Sequence, residues 1–507
     1  MRASPVILAT LAASAASCML DTRGTLRPVD AADTPDVEEP ADPGHDEAPP
    51  DAEGEEAEAT EEDIPGDGAL DTFAGCPDPI QHTNDFWIDF WCNRSACTFE
   101  CRFTGMADWF ACVPPQGLTN LSHGEIMLEV RATDSATGEV DATPALCKWS
   151  IVPSSLSCGG MHTCLVTADG GVKCWGNNAS GQIGDGTAEV KYQPTDVFGL
   201  GSDGVAVSAG YAHTCALTAS GNAACWGENL DGRLGDGTGT DSLIPVAVAL
   251  TPGSVAAVSA GLNHSCALKS TSGTKCWGQN DRGQLGNGDN APSFSPIDVL
   301  GLSTGLASIV AGGLRTCAVM DDGGLTCWGL NEQGELGTGI LGNSNVPVEV
   351  YPAGSGVVSV SVGLGSMTWA LLDPGGVWFW SDDGTGTNYS SLPRLVPEMT
   401  SNVTMIATGF AHGCAVMEDT EAAWCWGRNQ NGQLGNGTTA YAAEAVPVSE
   451  LDPGVIEICA GGSGVDCGHS CAVTRTGDVK CWGCNLTGQL GNGLTSDSPI
   501  PVDVVGF

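Results

Sequence analysis

From Pro153 onward the chain alternates short apolar runs with turn residues. Starting at Pro194, four runs follow in succession: Pro194–Gly199, Val205–Gly210, His213–Ala219 and Asn222–Gly227. Each is rich in Val, Ala, Thr and Cys and is bounded by Gly, Asp or Ser, so each predicts a short strand. The block then recurs. Ser208–Thr238 has close copies beginning at Ser157, Ser259, Val310, Thr408 and Cys459, and a worn copy at Ser361. The first cysteine of each copy falls at 164, 215, 266 and 317, a constant step of 51. Thr368 stands at the next step, and Cys414 and Cys471 follow. A period of this length marks a repeat architecture. Four short strands per unit over seven units predict an all-β, seven-bladed β-propeller across 153–507.

Each copy reads roughly G-x-x-H-T-C-A-L, a turn, C-W-G-x-N, then G-Q-L-G-x-G. On the His-Thr-Cys-Ala-Leu run, Cys225-Trp226-Gly227, Asn229 and Gly232-Arg233-Leu234-Gly235, the pattern resembles the RCC1-type (regulator of chromosome condensation) repeat. The resemblance implies a seven-bladed ring. Its founding member is a nucleotide exchange factor for a nuclear GTPase, an activity the repeat does not by itself confer. The first copy lacks a leading strand, passing from Pro153 almost directly to Ser157. Pro501–Phe507, PVDVVGF, matches Pro194–Leu200, PTDVFGL. This last run is expected to complete the first blade and close the ring, since an open ring would expose two sheet edges.

The segments before the ring differ in kind. Residues 1–18 resemble a bacterial lipoprotein signal: Arg2, the apolar run Pro5–Ala16, then small residues before Cys18. Cys18 is the expected lipid anchor and the expected membrane contact, with ordinary secretion as the alternative. Residues 19–74 read as a disordered acidic linker. Asp21–Asp71 holds 19 acidic residues against Arg23 and Arg27, too polar to offset the entropy of ordering. Residues 75–152 read as a small β-sandwich. Thr98-Phe99-Glu100-Cys101, Ala111-Cys112, Val130-Arg131-Ala132-Thr133-Asp134 and the closing Trp149–Val152 resemble bacterial Ig-like modules. That resemblance favours a Cys101–Cys112 bond, while the partners of Cys76, Cys92, Cys97 and Cys147 stay open among several pairings.

The net charge of −43 argues against nucleic acid as a partner, because phosphates need a basic surface. The 23 cysteines leave an even number once Cys18 is set aside. Six pairs recur inside the copies: Cys164/Cys174, Cys215/Cys225, Cys266/Cys276, Cys317/Cys327, Cys414/Cys425 and Cys471/Cys481. The members of each pair sit on neighbouring strands joined by a tight turn, within bridging reach. In the worn copy both positions are expected to change together, to Thr368 and Trp378. Disulfides are favoured over zinc, which needs four converging ligands, and they imply an oxidising compartment. No cofactor is expected. Cys158, Cys459, Cys467 and Cys484 crowd the first and last copies, which are adjacent in a ring, and suggest a staple across the closure.

His162, His213, His264, His412 and His469 recur at one position, with Arg315 and Ser366 in their place elsewhere. A repeated hydrogen bond from the imidazole to backbone, within or between blades, is the expected role, with a metal site or a proton relay as the alternative. The recurring tryptophans are expected in the core between blades, and the G-Q-L-G segments as turns needing positive φ. In the worn copy, Trp369, Trp378, Phe379, Trp380 and Tyr389 form a candidate partner-binding patch, with aromatic filling of a lost disulfide as the alternative. No catalytic motif stands out. The sequence points to a monomeric binding protein of the cell envelope or outside it, using a propeller face on a protein or glycan ligand. A polysaccharide lyase or hydrolase is the rival, with nucleotide exchange disfavoured.

Overall fold

The structure, a computed structural model, describes residues 70–506 apart from 78–79, 83–85, 105, 119–120, 122–123, 154, 272, 383–388, 452–453 and 465–466. Cys18, the expected signal segment and nearly all of the acidic linker lie outside the described residues. No helix of the described residues is long and apolar enough to cross a membrane.

Residues 155–503 form seven four-stranded antiparallel sheets, each taking its strands consecutively from the chain. Blade 1 is Ser155–Cys158, His162–Val166, Val172–Gly176 and Lys191–Asp196. Blade 7 is Val455–Gly462, Gly468–Thr474, Val479–Gly483 and Ser498–Asp503. The first strands of neighbouring blades touch all round, including Val455–Gly462 against Ser155–Cys158. They therefore line the axis, and the fourth strands form the rim. The second strand of each blade is covered on both sides. His213–Thr218 is buried at all six positions, which is why it reads as H-T-C-A-L-T without polar alternation.

Four sequence expectations change. The strand Ser498–Asp503 pairs with Val479–Gly483 of its own blade, through Cys481↔Val502, and does not complete blade 1. Ser155–Cys158 is the first strand of blade 1, pairing through Ser157↔Cys164. The blade is one strand out of phase with the unit taken from Pro194, because Lys191–Asp196 folds back on Val172–Gly176 before the chain crosses to the next blade. In the worn copy, Thr368↔Trp380 and Trp369↔Phe379 repeat Thr316↔Trp328 and Cys317↔Cys327. Trp369 and Phe379, not Thr368 and Trp378, thus stand at the cysteine positions. Met367, not Ser366, stands at the histidine position, because the loop before it is one residue longer.

Six blades carry a bond between directly opposed residues of the second and third strands: Cys164–Cys174, Cys215–Cys225, Cys266–Cys276, Cys317–Cys327, Cys414–Cys425 and Cys471–Cys481. Their Cα atoms lie 4.0–4.1 Å apart, the close approach of a pair that does not exchange backbone hydrogen bonds.

Before the ring, two sheets pack on one another. Thr72–Gly75, Phe86–Cys92 and Gln116–Leu118 make the smaller. Ile80–Gln81, Ala145–Ile151, Gly124–Asp134, Cys97–Phe103 and Phe110–Cys112 make the larger. Ile88, Phe90, Leu118, Leu128, Val130 and Trp149 fill the space between. Cys76–Cys147 and Cys92–Cys97 tie one sheet to the other, and Cys101–Cys112 clips the larger.

Candidate interaction face

The recurring residues meet at the junctions between blades. His213 Nε2 lies 2.9 Å from Ser265 Oγ of the next blade. Ser265 in turn donates to the Arg233 carbonyl at 2.9 Å, and Trp277 Nε1 donates to the same oxygen at 2.9 Å. Because the hydroxyl proton goes to that carbonyl, the histidine must donate, which fixes its proton on Nε2. The same set recurs for His162 with Thr214, His264 with Thr316, His412 with Ser470 and His469 with Thr163. Arg315 takes the place of histidine once and donates to Thr368 at 2.8 Å. The partner is a side-chain hydroxyl and not the backbone. Burial holds His162, His264 and His469 down at about 3 and His412 at about 4, and it also keeps His213 well below its usual value. These imidazoles are neutral cross-links.

One junction is built differently. Blade 6 has Gly413 where the others have Thr or Ser, and Trp369 fills the gap. Its ring stacks on Trp426 with centroids 4.3 Å apart and planes at 4°. A Cβ on Gly413 would lie 1.9 Å from the Trp369 ring. Trp380 donates to the Glu335 carbonyl at 2.8 Å, doing the work of Trp277 elsewhere. Trp369 and Trp380 are therefore fully buried and offer a partner no surface. Trp378 and Phe379 are half-buried, and Tyr389 alone of the expected patch is exposed. For Trp369 and Trp380 this is a correction: their rings fill the space of a lost disulfide and a lost hydroxyl. The signal was legible in H-G-C, the one copy of that motif with glycine at its centre.

The seam between blades 7 and 1 keeps the common bonds. Thr163 and Trp175 both donate to the Gln489 carbonyl, and Gly462 N donates to Gly159 O at 3.0 Å. It adds Cys158–Cys459, joining the two axis-lining strands over a sequence separation of 301. At four other junctions a serine holds this place, as where Ala209 N donates to Ser157 Oγ at 2.9 Å. Beside it, Glu457 accepts from Leu156 N at 2.8 Å, and burial raises its carboxyl to about 7. Among the described residues, Cys158, Cys459 and Cys471 are the only His, Cys, Asp or Glu group close enough to hold a metal. All three sulfurs are in disulfides, so none is a thiolate ligand.

Antiparallel order puts the first-to-second and third-to-fourth connections of every blade at one end of the ring. The hairpin turns between second and third strands lie at the other. That second end is partly occupied: a Cβ on Gly477 would lie 2.7 Å from Ile151 O, and Ala168 packs into the core of the two-sheet module. Among the described residues the first end is free of the module. There Gly160 N donates to Gly210 O, Tyr211 N to Gly261 O and Leu262 N to Gly313 O, linking successive tips into a collar. Met161, Tyr211, Leu262, Leu314, Leu364 and Phe410 stand on it, all half-buried. Outside the collar, an asparagine holds each long loop. Asn229 Oδ1 accepts from Leu234 N at 3.0 Å, and Asn178, Asn280, Asn331, Asn429 and Asn485 do the same. The next residue is exposed in each, and five residue types stand there: Ala179, Leu230, Asp281, Glu332, Gln430 and Leu486. Cys467–Cys484 pins the collar to the loop of blade 7.

Residues 119–465 match the RCC1-like domain family, and residues 468–489 match the regulator of chromosome condensation (RCC1) repeat. The chain is 31% identical over 382 residues to the Ultraviolet-B receptor UVR8 of Arabidopsis thaliana, covering 73% of this chain and 84% of that protein. It is 30% identical over 369 residues to the RCC1 domain-containing protein RUG3, mitochondrial, of the same plant, covering 65% and 81%. In fold it is similar to human WBSCR16, with a TM-score of 0.56 and 22% identity, over 72% of this chain and 97% of that one. It is likewise similar to Prp20p of Saccharomyces cerevisiae, with a TM-score of 0.52 and 18% identity, over 72% and 89%. The repeat, its junction chemistry and these matches agree, and the chain belongs to the RCC1-like domain family.

Proposed function

We propose that this chain is an extracytoplasmic binding protein whose ring engages a protein partner through the end that carries the collar and the long loops. One observation carries this reading. Within a single chain the loop frame repeats from blade to blade, while the exposed residue after each framing asparagine changes. A surface that varies on a fixed frame suits recognition. Leu230 and Leu486 are 69% and 64% exposed there, apolar anchors of the sort interfaces use. The eleven disulfides among the described residues favour an oxidising compartment over the cytosol. The sequence of residues 1–18 supports export, with Cys18 as a lipid anchor, residues 19–74 as a tether and residues 75–152 as an Ig-like module. The solved relative Prp20p is described by its binding to Gsp1p and histones, which is a precedent for protein recognition by this fold.

The test uses the full chain, oxidised, as bait in envelope extracts. A partner held by the native chain should be lost with Leu230→Glu plus Leu486→Glu. It should be retained with Ser202→Glu plus Ser303→Glu at the opposite end. Equal capture by both variants would remove the loop end from consideration.

A further inference from the structure

A second surface, on the two-sheet module, goes beyond that reading. The strand Phe86–Cys92 alternates: Ile88 and Phe90 are buried, while Trp87, Asp89 and Trp91 point outward. Trp87 is 71% exposed and Trp91 53%, and Phe73 on the neighbouring strand is 44% exposed. These are large rings to leave in water. Their attitude is unusual too. Trp87 sits opposite Gly117, and a Cβ there would come within 3.0 Å of its ring. The indole thus lies down across the glycine, with its other face to solvent. Phe73 and Trp91 are opposed, with ring planes within 15° and centroids 6.0 Å apart. Gly75 stands opposite Asp89, and the carboxylate between the two indoles is exposed, with Oδ1 accepting from Phe90 N at 3.0 Å.

The other sheet of the module shows that bare indoles are not the rule here. Its outer face is a ladder of ion pairs, Arg131 with Glu100 and Lys148 with Glu125 at 2.7 Å each, with Arg102 on Glu129. Trp109 on that face is capped by the guanidinium groups of Arg102 and Arg131, at 4.5 and 4.1 Å from the ring centroid.

We propose that the Phe73–Trp87–Trp91 face binds a neutral glycan chain. The flat-lying Trp87 ring presents a π face to the C–H faces of pyranoses, the paired Phe73 and Trp91 rings extend the apolar platform, and Asp89 accepts sugar hydroxyls. Charge complementarity selects the class: among the described residues the ionisable group between the rings is a carboxylate, in a chain of net charge −43, so anionic polymers are repelled. Geometry selects length. Trp87 and Trp91 are four residues apart on a strand, roughly 13 Å. One sugar cannot reach both, so a ligand must be an extended chain of several rings.

The full-length protein titrated with cellohexaose and with chitohexaose, read by tryptophan fluorescence and calorimetry, tests this. At least one hexasaccharide should bind, glucose and N-acetylglucosamine should bind at least tenfold more weakly, and the affinity should be indifferent to salt. Trp87→Ala and Trp91→Ala should each lose tenfold or more, Trp87→Phe should recover most of it, and Trp109→Ala should change nothing. Both indoles are exposed, so unchanged circular dichroism and Tm certify the fold of the variants. Failure of both hexasaccharides to bind, or binding that survives loss of both tryptophans, overturns the proposal. So does concentration-dependent dimerisation abolished by the same substitutions, which would give the face to a second copy of the chain. Because the variants of the loop end leave this face intact, the two readings fail independently.

Discussion

At the residue scale, the repeat is held by a hydrogen-bond set that tolerates no charge. His162, His213, His264, His412 and His469 each donate from Nε2, and each leaves Nδ1 buried with no partner among the described residues. The unfolded chain takes up a proton on each near the ordinary value of 6.5, whereas in the folded chain burial holds His162, His264 and His469 at about 3 and His412 at about 4, and keeps His213 well below that value. The depressed value means that stability is intact above pH 6.5 and is lost as pH falls towards 3. The slope is about 1.4 kcal/mol per pH unit for each imidazole. Glu457 opposes this, since its raised value favours the folded state as pH falls from about 7. One carboxyl against five imidazoles does not reverse the trend. Tm should therefore drop steadily between pH 6.5 and 4, and a flat profile would show the rings to be solvated. The histidine positions were legible from the repeat. Their partners were not, because a bond from His213 to Ser265 crosses 52 residues.

At the element scale, the unit of construction is the long loop with its asparagine. Asn229 accepts from Leu234 N and donates to the carbonyls of Thr238 and Thr240. The loop so held presents Gly232 to Phe294 and Gly235 to the Trp277 indole of the next blade. A Cβ on those glycines would stand 2.5 and 2.6 Å from these neighbours. Both have φ near +70 to +80°, so glycine is required twice over, by the turn and by the contact. Asn229→Ala should cost about 3 kcal/mol, because it strands several buried partners, while Asn229→Asp keeps the acceptor and should cost less. Denaturant midpoints of the two variants check the order. The sequence could mark these glycines as turns. That they are also the clasp between blades follows only from the packing.

At the scale of the whole molecule, closure is the decisive event. The ring does not share a strand between its first and last blades. It repeats the ordinary junction and adds Cys158–Cys459 where four other junctions use a serine and a backbone N–H. A bond closing some 300 residues removes much freedom from the unfolded chain, on the order of 5 kcal/mol. Cys158→Ser with Cys459→Ser should lower Tm and speed hydrogen exchange in the first strands of blades 1 and 7 before the others. Uniform exchange across all seven blades would show the seam to be no weaker than its neighbours. Repetition in the chain was enough to determine that seven similar sheets form, which cysteines face each other inside a blade, and that the worn copy lost its pair. These are local matters, settled by strand period and a tight turn. Only the tertiary structure decided where each blade begins, which residues replace the lost disulfide, and how the circle shuts. The physical reason is the same in each case. A periodic pattern looks alike from any starting point, so its phase and its ends are set by contacts between residues hundreds of positions apart.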